Sequence, residues 1–271
     1  MKLLFIGDIV GRPGRDLVRV GLAPLVACHA IDLVIVNGEN SAGGNGITRE
    51  IGDSLFAQGV DVITSGNHIW DKREALDYIK IEPRLLRPAN YPDAPGRGSY
   101  VARTPSGRSV AVLNVMGRVH LANIDDPFQT ARREIDALRQ RTPIVFVDFH
   151  AEATSEKIAM GWFLDGSVTA VVGTHTHVQT ADEQIFPGGT AFLCDAGMCG
   201  PVNSILGRAV DPIVNRFITN LPALFPVAKG EVRLCGAVVS IDETTGRALS
   251  IKRVNELIPE PGAAPPSTEK A

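Results

Sequence analysis

The stretch KLLFIGD, Lys2 to Asp8, is an apolar run that ends in a glycine and a carboxylate. The same plan recurs in LVIVNGEN, Leu33 to Asn40, and in VITSGNH, Val62 to His68. Longer amphipathic runs stand between these segments. This alternation predicts β-α-β units and a largely parallel sheet that is buried on both faces, with the first strands in central positions.

Later in the chain the sequence predicts antiparallel strands in addition to parallel ones. Two β-rich runs within residues 98–115 are separated by a turn that contains Pro and Gly, which predicts an antiparallel hairpin. A Gly-rich loop is predicted over residues 196–201, and a short helix over residues 211–219. The end of the chain is rich in Pro and Ala without apolar periodicity. We therefore expect one domain over residues 1–258 and a disordered tail over residues 259–271.

Composition and charge restrict the class of protein. A net charge of -3 argues against a surface for duplex nucleic acid, which would need clustered Lys and Arg. No run reaches the roughly 20 apolar residues of a membrane span, and the first apolar run is too short for a signal peptide. These features predict a cytoplasmic protein with no membrane partner. They are compatible with a homo-oligomer.

The four cysteines are scattered, with no C-x-x-C pair. This spacing favours buried reduced thiols over a disulfide framework or a structural zinc site. Cys199 is the exception to consider, because it lies in the Gly-rich loop.

Polar side chains follow five of the predicted strands at their carboxyl ends. Because these ends form the ligand crevice of open α/β sheets, residues that are distant in sequence are expected to meet there. Carboxylates, amide oxygens and imidazoles together suit Mn, Fe or Zn. Bringing two carboxylates together without a cation would also cost like-charge repulsion at low dielectric. The pattern predicts a metal site formed by Asp8, Glu39, Asn40, Asn67, His150, His175 and His177.

Each of these residues also has a purely structural interpretation. Asp8 and Asn67 could be turn residues, and His150 alone could be an ordinary buried histidine. The pair His175 and His177 is harder to explain by packing, because both directly follow a buried apolar strand. Four of the six histidines fall within the strand-end segments, which favours function over coincidence.

Five short motifs occur in a fixed order along the chain: G-D at Gly7–Asp8, G-E-N at Gly38–Asn40, G-N-H at Gly66–His68, F-H-A-E at Phe149–Glu152 and G-T-H-T-H at Gly173–His177. This ordered set resembles the calcineurin-like metallophosphoesterases, and within them the YmdB-type subgroup of bacterial phosphodiesterases. The resemblance implies an α/β fold, a four-layer αββα sandwich of two mixed β-sheets flanked by helices. It also implies two divalent or mixed-valence transition metal ions, with Fe or Mn expected and Zn as the alternative.

The chain departs from the superfamily pattern at three positions. Val10 stands where the first motif usually has His, Glu39 where the second usually has Asp, and Ile69 where the third often has an acidic residue. His68 is expected to be the proton donor, with Asp71 as a candidate acidic helper. The resemblance then implies one metal held by Asp8, Glu39, Asn40 and His177, and the other held by Glu39, Asn67, His150 and His175, so that Glu39 bridges the two.

The expected function is hydrolysis of phosphate diesters by attack of a metal-activated water, with His68 as the catalytic acid. The resemblance favours 2',3'-cyclic nucleotides as substrates. Two alternatives stay open: a phosphomonoesterase or nucleotidase that uses the same site, and a non-catalytic, metal-stabilised regulatory binding protein. The segment Asp195–Ser204 either shapes the substrate pocket or is structural, and Trp70 either stacks on a base or packs in the core.

Overall fold

The computed structural model describes residues 1–258, whose strands pair into two sheets. The strands are β1 (Lys2–Ile6), β2 (Asp8–Ile9), β3 (Leu33–Asn37), β4 (Val62–Thr64), β5 (Ser99–Arg103), β6 (Ser109–Met116), β7 (Val145–His150), β8 (Ala170–Thr174), β9 (Gln184–Ile185), β10 (Ala191–Leu193), β11 (Met198–Pro201), β12 (Val232–Ile241) and β13 (Ala248–Ile258). The helices are α1 (Gly11–His29), α2 (Arg49–Ala57), α3 (Ala75–Ile81), α4 (Pro127–Arg139), α5 (Thr154–Leu164) and α6 (Val210–Thr219), with a 3-10 turn at Asn67–Trp70.

The first sheet runs in the order β2-β11-β12-β1-β3-β4, and β13 pairs with the other edge of β12. Strand β1 is parallel to β3, with Leu3 opposite Leu33, and antiparallel to β12, with Leu3 opposite Val239. The prediction that the first strands are central is therefore confirmed. The antiparallel partners come from the far end of the chain and make the sheet mixed.

The second sheet runs in the order β5-β6-β7-β8-β10-β9. Its first pair is the predicted antiparallel hairpin, with Tyr100 opposite Val112. Strands β6, β7, β8 and β10 are parallel neighbours, and β9 closes the edge in the antiparallel sense. This sheet is therefore mixed as well.

Apolar side chains fill three layers. Between the sheets, Phe5 of β1 meets Phe146 of β7 with ring centroids 5.0 Å apart. Leu17 of α1 and Leu55 of α2 pack on the outer face of the first sheet, and Ile135 of α4 packs on the outer face of the second. The fold is thus a four-layer αββα sandwich, which confirms the architecture implied by the motifs.

Local sequence signals explain where two of the helices begin. The Asp126 carboxylate accepts hydrogen bonds from the N–H groups of Phe128 (2.9 Å) and Gln129 (3.0 Å), and Pro127 occupies the first position of α4. Thr48 caps α2 in the same way, because its hydroxyl accepts the N–H of Ile51 at 3.3 Å. These caps satisfy backbone donors that the helices leave without intrahelical partners.

The prediction of a loop over residues 196–201 is wrong for its last part, because residues 198–201 form strand β11. Met198 and Cys199 pair with Asp8 and Ile9 of the short strand β2. Strands of two to four residues are too short to show a period of two, and their partners lie far away in sequence, so local pattern does not reveal them.

The remaining predictions from the sequence concern Trp70, membrane spans and the C-terminal tail. Trp70 packs against the core, with its ring edge-on to Tyr91 at a centroid distance of 5.5 Å, which favours the packing interpretation. No helix within residues 1–258 is long and apolar enough to cross a membrane. The predicted disordered tail, residues 259–271, lies outside the described residues.

Candidate metal centre

The carboxyl ends of strands from both sheets meet at one edge of the sandwich. Asp8 follows β1, Glu39 and Asn40 follow β3, and Asn67 and His68 follow β4. From the second sheet, His150 ends β7, while His175 and His177 follow β8. Direct contacts connect these segments, so the structure brings together the residues predicted from the sequence, which are Asp8, Glu39, Asn40, Asn67, His68, His150, His175 and His177.

Two glycines of the motifs permit this close approach. A Cβ atom on Gly66 would overlap the imidazole of His150, which occupies the space beside that backbone. A Cβ atom on Gly173 would overlap the carbonyl oxygen of Cys194 at the end of the neighbouring strand. The glycine that begins each of these motifs is therefore explained by packing between segments.

One group of ligand atoms surrounds Nε2 of His150. This nitrogen lies 2.9 Å from Oδ1 of Asn67, 3.2 Å from Oε1 of Glu39 and 3.1 Å from Nδ1 of His175. The ligand atoms of Glu39, His150 and His175 all lie within 4.8 Å of one another. An amide oxygen, a carboxylate and two imidazoles thus point toward a common centre, in the combination that borderline divalent metals prefer.

A second group of candidate ligand atoms comes from Asp8, Asn40 and His177. Nε2 of His177 is 3.3 Å from Oδ1 of Asn40. The Asn40 amide nitrogen donates to the carbonyl of Gly44 at 3.1 Å, so its oxygen faces the histidine. Asp8 accepts the backbone N–H of His175 through Oδ2 at 3.2 Å. This group could therefore hold a cation through carboxylate, amide and imidazole atoms.

Each of the three histidines is oriented through one ring nitrogen, which leaves the other directed toward the cluster. Such outer partners select the tautomer that presents a lone pair to a metal. The contacts are His150 Nδ1 to Thr174 Oγ1 at 2.9 Å, His175 Nε2 to Glu152 Oε2 at 3.1 Å, and His177 Nδ1 to the carbonyl oxygen of Leu206 at 3.1 Å.

A buried carboxylate that the sequence reasoning missed lies behind His150. Asp148 accepts the hydroxyl of Thr174 at 2.7 Å, the hydroxyl of Thr64 at 2.5 Å and the amide of Asn37 at 3.1 Å. Burial raises the pKa of Asp148 to about 6, against the opposing attraction of His150. The available signal was a single carboxylate inside the apolar strand VFVDFH, two residues before a histidine.

The Asp8 carboxylate is not fully satisfied by protein groups among the described residues. Within residues 1–258, Oδ1 of Asp8 is buried without a hydrogen-bond partner. Burial raises the pKa of Asp8 well above its usual range, and the charge of Glu39 adds to this effect. A cation beside Asp8 would satisfy the orphaned oxygen and keep the carboxylate ionised. The donor set therefore fits a bound metal.

Glu39 and His150, the two ionisable groups at the centre, compensate each other's charge. Burial raises the pKa of Glu39, but the charge and hydrogen bond of His150 outweigh this and hold the pKa at about 2. Burial alone would lower the pKa of His150. The charge of Glu39 opposes this effect and outweighs it, so the pKa is raised to about 9. His175, in contrast, is held neutral: burial and then the charge of His150 lower its pKa to about 3.

The backbone is strained at the same place. His175 has a φ of 99° and His177 a φ of 65°, in the left-handed region that residues other than glycine rarely adopt. Each such residue costs on the order of 1–3 kcal/mol and persists only where surrounding contacts hold it. The strain therefore coincides with the turn that carries these two candidate ligands.

A cleft of about 390 Å³ opens over the cluster, and His68 lies at its wall. The His68 side chain is 31% exposed, and its Nδ1 lies 2.8 Å from Oδ2 of Asp71. Asn45 donates to the same Asp71 oxygen at 3.1 Å. The structure thus places the predicted acidic helper, Asp71, against the predicted proton donor.

Comparison with known proteins settles the family. Residues 4–254 match the family described as YmdB-like protein. The chain belongs to the YmdB-like family. This confirms the resemblance inferred from the five motifs, and the match spans nearly all of the described residues.

Individual relatives in the YmdB-like family agree with this assignment. The chain is 50% identical over 255 residues to a Bacillus subtilis protein named 2',3'-cyclic-nucleotide 2'-phosphodiesterase, covering 94% of this chain and 96% of that one. It is 33% identical over 272 residues to a Mycoplasma pneumoniae protein named putative phosphatase/phosphodiesterase, covering 96% of this chain and 95% of that one.

Solved structures show the same fold. A hypothetical protein from Thermus thermophilus superposes with a TM-score of 0.89 at 38% identity, covering 96% of this chain and 100% of that one. A protein from Mycoplasma pneumoniae described as a novel phosphatase gives a TM-score of 0.89 at 32% identity, covering 96% and 95% of the two chains.

The cysteines of this YmdB-like chain are free thiols with different accessibility. Cys199 is fully buried in β11, where burial raises its pKa well above the usual range. Burial also raises the pKa values of Cys194 and Cys235 to about 11 each. Cys28 is exposed on α1. The expectation of reduced thiols is supported, and Cys199 is a packed side chain in a structural strand.

We predict that a small thiol reagent will modify Cys28 alone in the folded chain, because the other three thiols are buried and protonated. Titration with Ellman's reagent should give one fast-reacting thiol per chain, and four after denaturation. The Cys28→Ser variant should lose the fast phase. Rapid labelling of Cys199 in the folded chain would contradict this assignment.

Proposed function

We propose that the chain is a metal-dependent phosphodiesterase with two metal ions, and that 2',3'-cyclic nucleotides are its substrate class. The observation that carries the proposal is the buried cluster around Glu39, in which carboxylate, amide and imidazole atoms face one another. The name of the Bacillus subtilis relative, 50% identical over nearly the whole chain, supports the substrate class.

We assign the ligands to two groups that share Glu39. This assignment is supported by the central position of Glu39, whose Oε1 lies 3.2 Å from His150 Nε2 while its Oε2 accepts the backbone N–H of His68 at 3.1 Å. The mixed oxygen and nitrogen donors favour Fe or Mn, with Zn as the alternative. The first group is Asp8, Glu39, Asn40 and His177, and the second is Glu39, Asn67, His150 and His175.

Bound at these ligands, two metal ions supply Lewis-acid polarisation of the phosphoryl oxygens and activation of the attacking water. The protein residues provide what this chemistry needs besides the ions. His68 lies at the cleft with one ring nitrogen held by Asp71, so the other is available to the substrate. As the bond between phosphorus and the leaving oxygen breaks, His68 gives that oxygen its proton.

The cleft suits a nucleotide in both size and lining. Its volume of about 390 Å³ lies in the range of small-molecule sites. Ile205, Leu206 and Phe217 form an apolar wall beside the polar cluster, which suits the face of a base. The phosphodiester anion would be repelled by Asp8 and Glu39, and metal cations remove that repulsion.

The broader predictions from the sequence remain part of the proposal. We propose that residues 1–258 act as one domain, that the protein works in the cytoplasm on a small phosphodiester or nucleotide, and that duplex nucleic acid and membranes are not partners. The negative net charge supports the exclusion of duplex nucleic acid. The proposal is also compatible with a homo-oligomer.

The direct test compares a diester with a monoester on protein reconstituted with Mn²⁺. We expect faster turnover of bis-p-nitrophenyl phosphate than of p-nitrophenyl phosphate, and hydrolysis of a 2',3'-cyclic nucleotide to a single monophosphate. Faster monoester turnover would identify a phosphomonoesterase instead. Absence of any turnover with metals bound would identify a binding protein.

The matched pair for this test is Glu39→Gln and Glu50→Gln. Glu39→Gln should lower kcat/KM by about 100- to 1000-fold, since several kcal/mol of Lewis-acid stabilisation are lost. Glu50 lies exposed in the first turn of α2, so Glu50→Gln makes the same chemical change away from the site and should leave kcat/KM unchanged. Full activity of Glu39→Gln would exclude the bridging role.

The role of His68 makes a separate prediction. His68→Ala should lower kcat on a 2',3'-cyclic nucleotide by about 100- to 10,000-fold, because general acid catalysis is lost. Bis-p-nitrophenyl phosphate should be affected much less, since its leaving group departs as a stable anion without a proton. Metal content should be retained in His68→Ala and in the control His29→Ala at the far end of α1. Loss of metal from His68→Ala would show that His68 is a ligand.

A further inference from the structure

A buried ion pair lies directly beneath the histidine-bearing turn. Nζ of Lys157, on α5, is 2.6 Å from Oδ2 of Asp195, which follows β10. Both side chains are only 1% exposed. Burying two charges costs several kcal/mol for each ion, and a well-packed apolar pair often gives equal or greater stability. The pair therefore calls for an explanation other than stability of the fold.

Asp195 is bonded to the turn that carries two of the assigned ligands. Its Oδ2 accepts the backbone N–H of Thr176 at 3.1 Å and the Thr176 hydroxyl at 2.7 Å. Thr176 stands between His175 and His177, the two residues with strained positive φ. Asp195 thus binds the middle residue of the strained turn through both its backbone and its side chain.

The same carboxylate is connected to the segment that carries Asp8. Oδ1 of Asp195 accepts the N–H of Gly197 at 2.8 Å, and the carbonyl of Gly197 accepts the N–H of Asp8 at 3.1 Å. A single side chain therefore links a ligand from the first sheet with ligands from the second.

We assign Asp195 no metal, because three protein donors converge on its Oδ2, a fourth contacts its Oδ1, and it is not among the carboxylates that group with His150 and His175. The Lys157 ammonium supplies the compensating positive charge, and its stem packs against Gly173, at the start of the turn. The ion pair thus fixes the buried carboxylate in place, with its oxygens directed as hydrogen-bond acceptors toward the turn and toward Gly197.

We infer that Asp195, which is paired with Lys157, is a positioning residue. It holds His175, His177 and Asp8 in the geometry for metal binding. This inference rests on the proposed two-metal function. It assigns the segment Asp195–Ser204 a role behind the ligands and not in the wall of the substrate cleft. The strain of the turn is maintained by the bonds to Asp195, and without them the turn is free to relax away from the metals.

The test measures Mn²⁺ binding by chelator-treated full-length chain, together with the electron paramagnetic resonance spectrum. Wild type should bind two Mn²⁺ per chain and show the spectrum of a coupled pair. Asp195→Asn should weaken binding of at least one ion by about 10- to 100-fold, the usual effect of removing a partner that orients ligands. The coupled spectrum should be lost at Mn²⁺ concentrations that saturate wild type.

Thr176→Val provides a second variant that leaves no buried charge unpaired. It removes only the hydroxyl bond to Asp195, so Mn²⁺ affinity should fall in the same direction by a smaller factor. Thr169→Val is the matched control. Thr169 is buried just before β8, at the far end of that strand from Thr176, and its hydroxyl donates to the carbonyl of Gly246 at 2.7 Å, so this change should lower thermal stability without changing Mn²⁺ affinity.

The outcomes separate the inference from the proposed function. Wild-type Mn²⁺ affinities and a coupled spectrum in both Asp195→Asn and Thr176→Val would overturn the positioning role while leaving the two-metal site intact. Fewer than two Mn²⁺ bound by wild type would overturn the two-metal function itself, and the inference with it. If Asp195→Asn fails to fold by circular dichroism, Thr176→Val decides.

Discussion

The burial of two carboxylates, Asp8 and Glu39, at the meeting point of two sheets is the constraint on which the rest of the site depends. An ionised carboxylate removed from water is stable only beside a cation or with full hydrogen bonding. Glu39 has His150 and the backbone of His68, whereas one oxygen of Asp8 finds no partner among residues 1–258. The arrangement is therefore complete only when positive charge is added, which is the physical basis for assigning metals here.

The proposed histidine ligands are oriented by oxygen atoms that lie outside the cluster and come from different elements. Thr174 and Asp148 lie behind His150, Glu152 contacts His175, and the carbonyl of Leu206 contacts His177. These contacts fix the orientation of each ring and select the ring nitrogens that face inward. The αββα sandwich makes this possible because it brings the carboxyl ends of two separate sheets to the same edge.

The elements that could be predicted from sequence were those with local signals. Buried apolar runs such as residues 33–37 and 145–150 identify strands, and the polar residues that follow them mark the candidate site. The pairing of β2 with β11 could not be predicted, since both strands are short and distant in sequence. Asp148 carries only the weak signal of a carboxylate two residues before His150, and Lys157 carries none, because their roles arise from contacts between strands and helices that fold together.

The central claim is that Glu39 bridges two metal ions. The most direct measurement is anomalous X-ray diffraction from crystals of the Mn²⁺-loaded chain, which locates each ion independently of any assay. The account predicts two peaks about 3.5–4 Å apart, with Glu39 between them. A single peak, or two peaks with Glu39 in contact with only one of them, would contradict it.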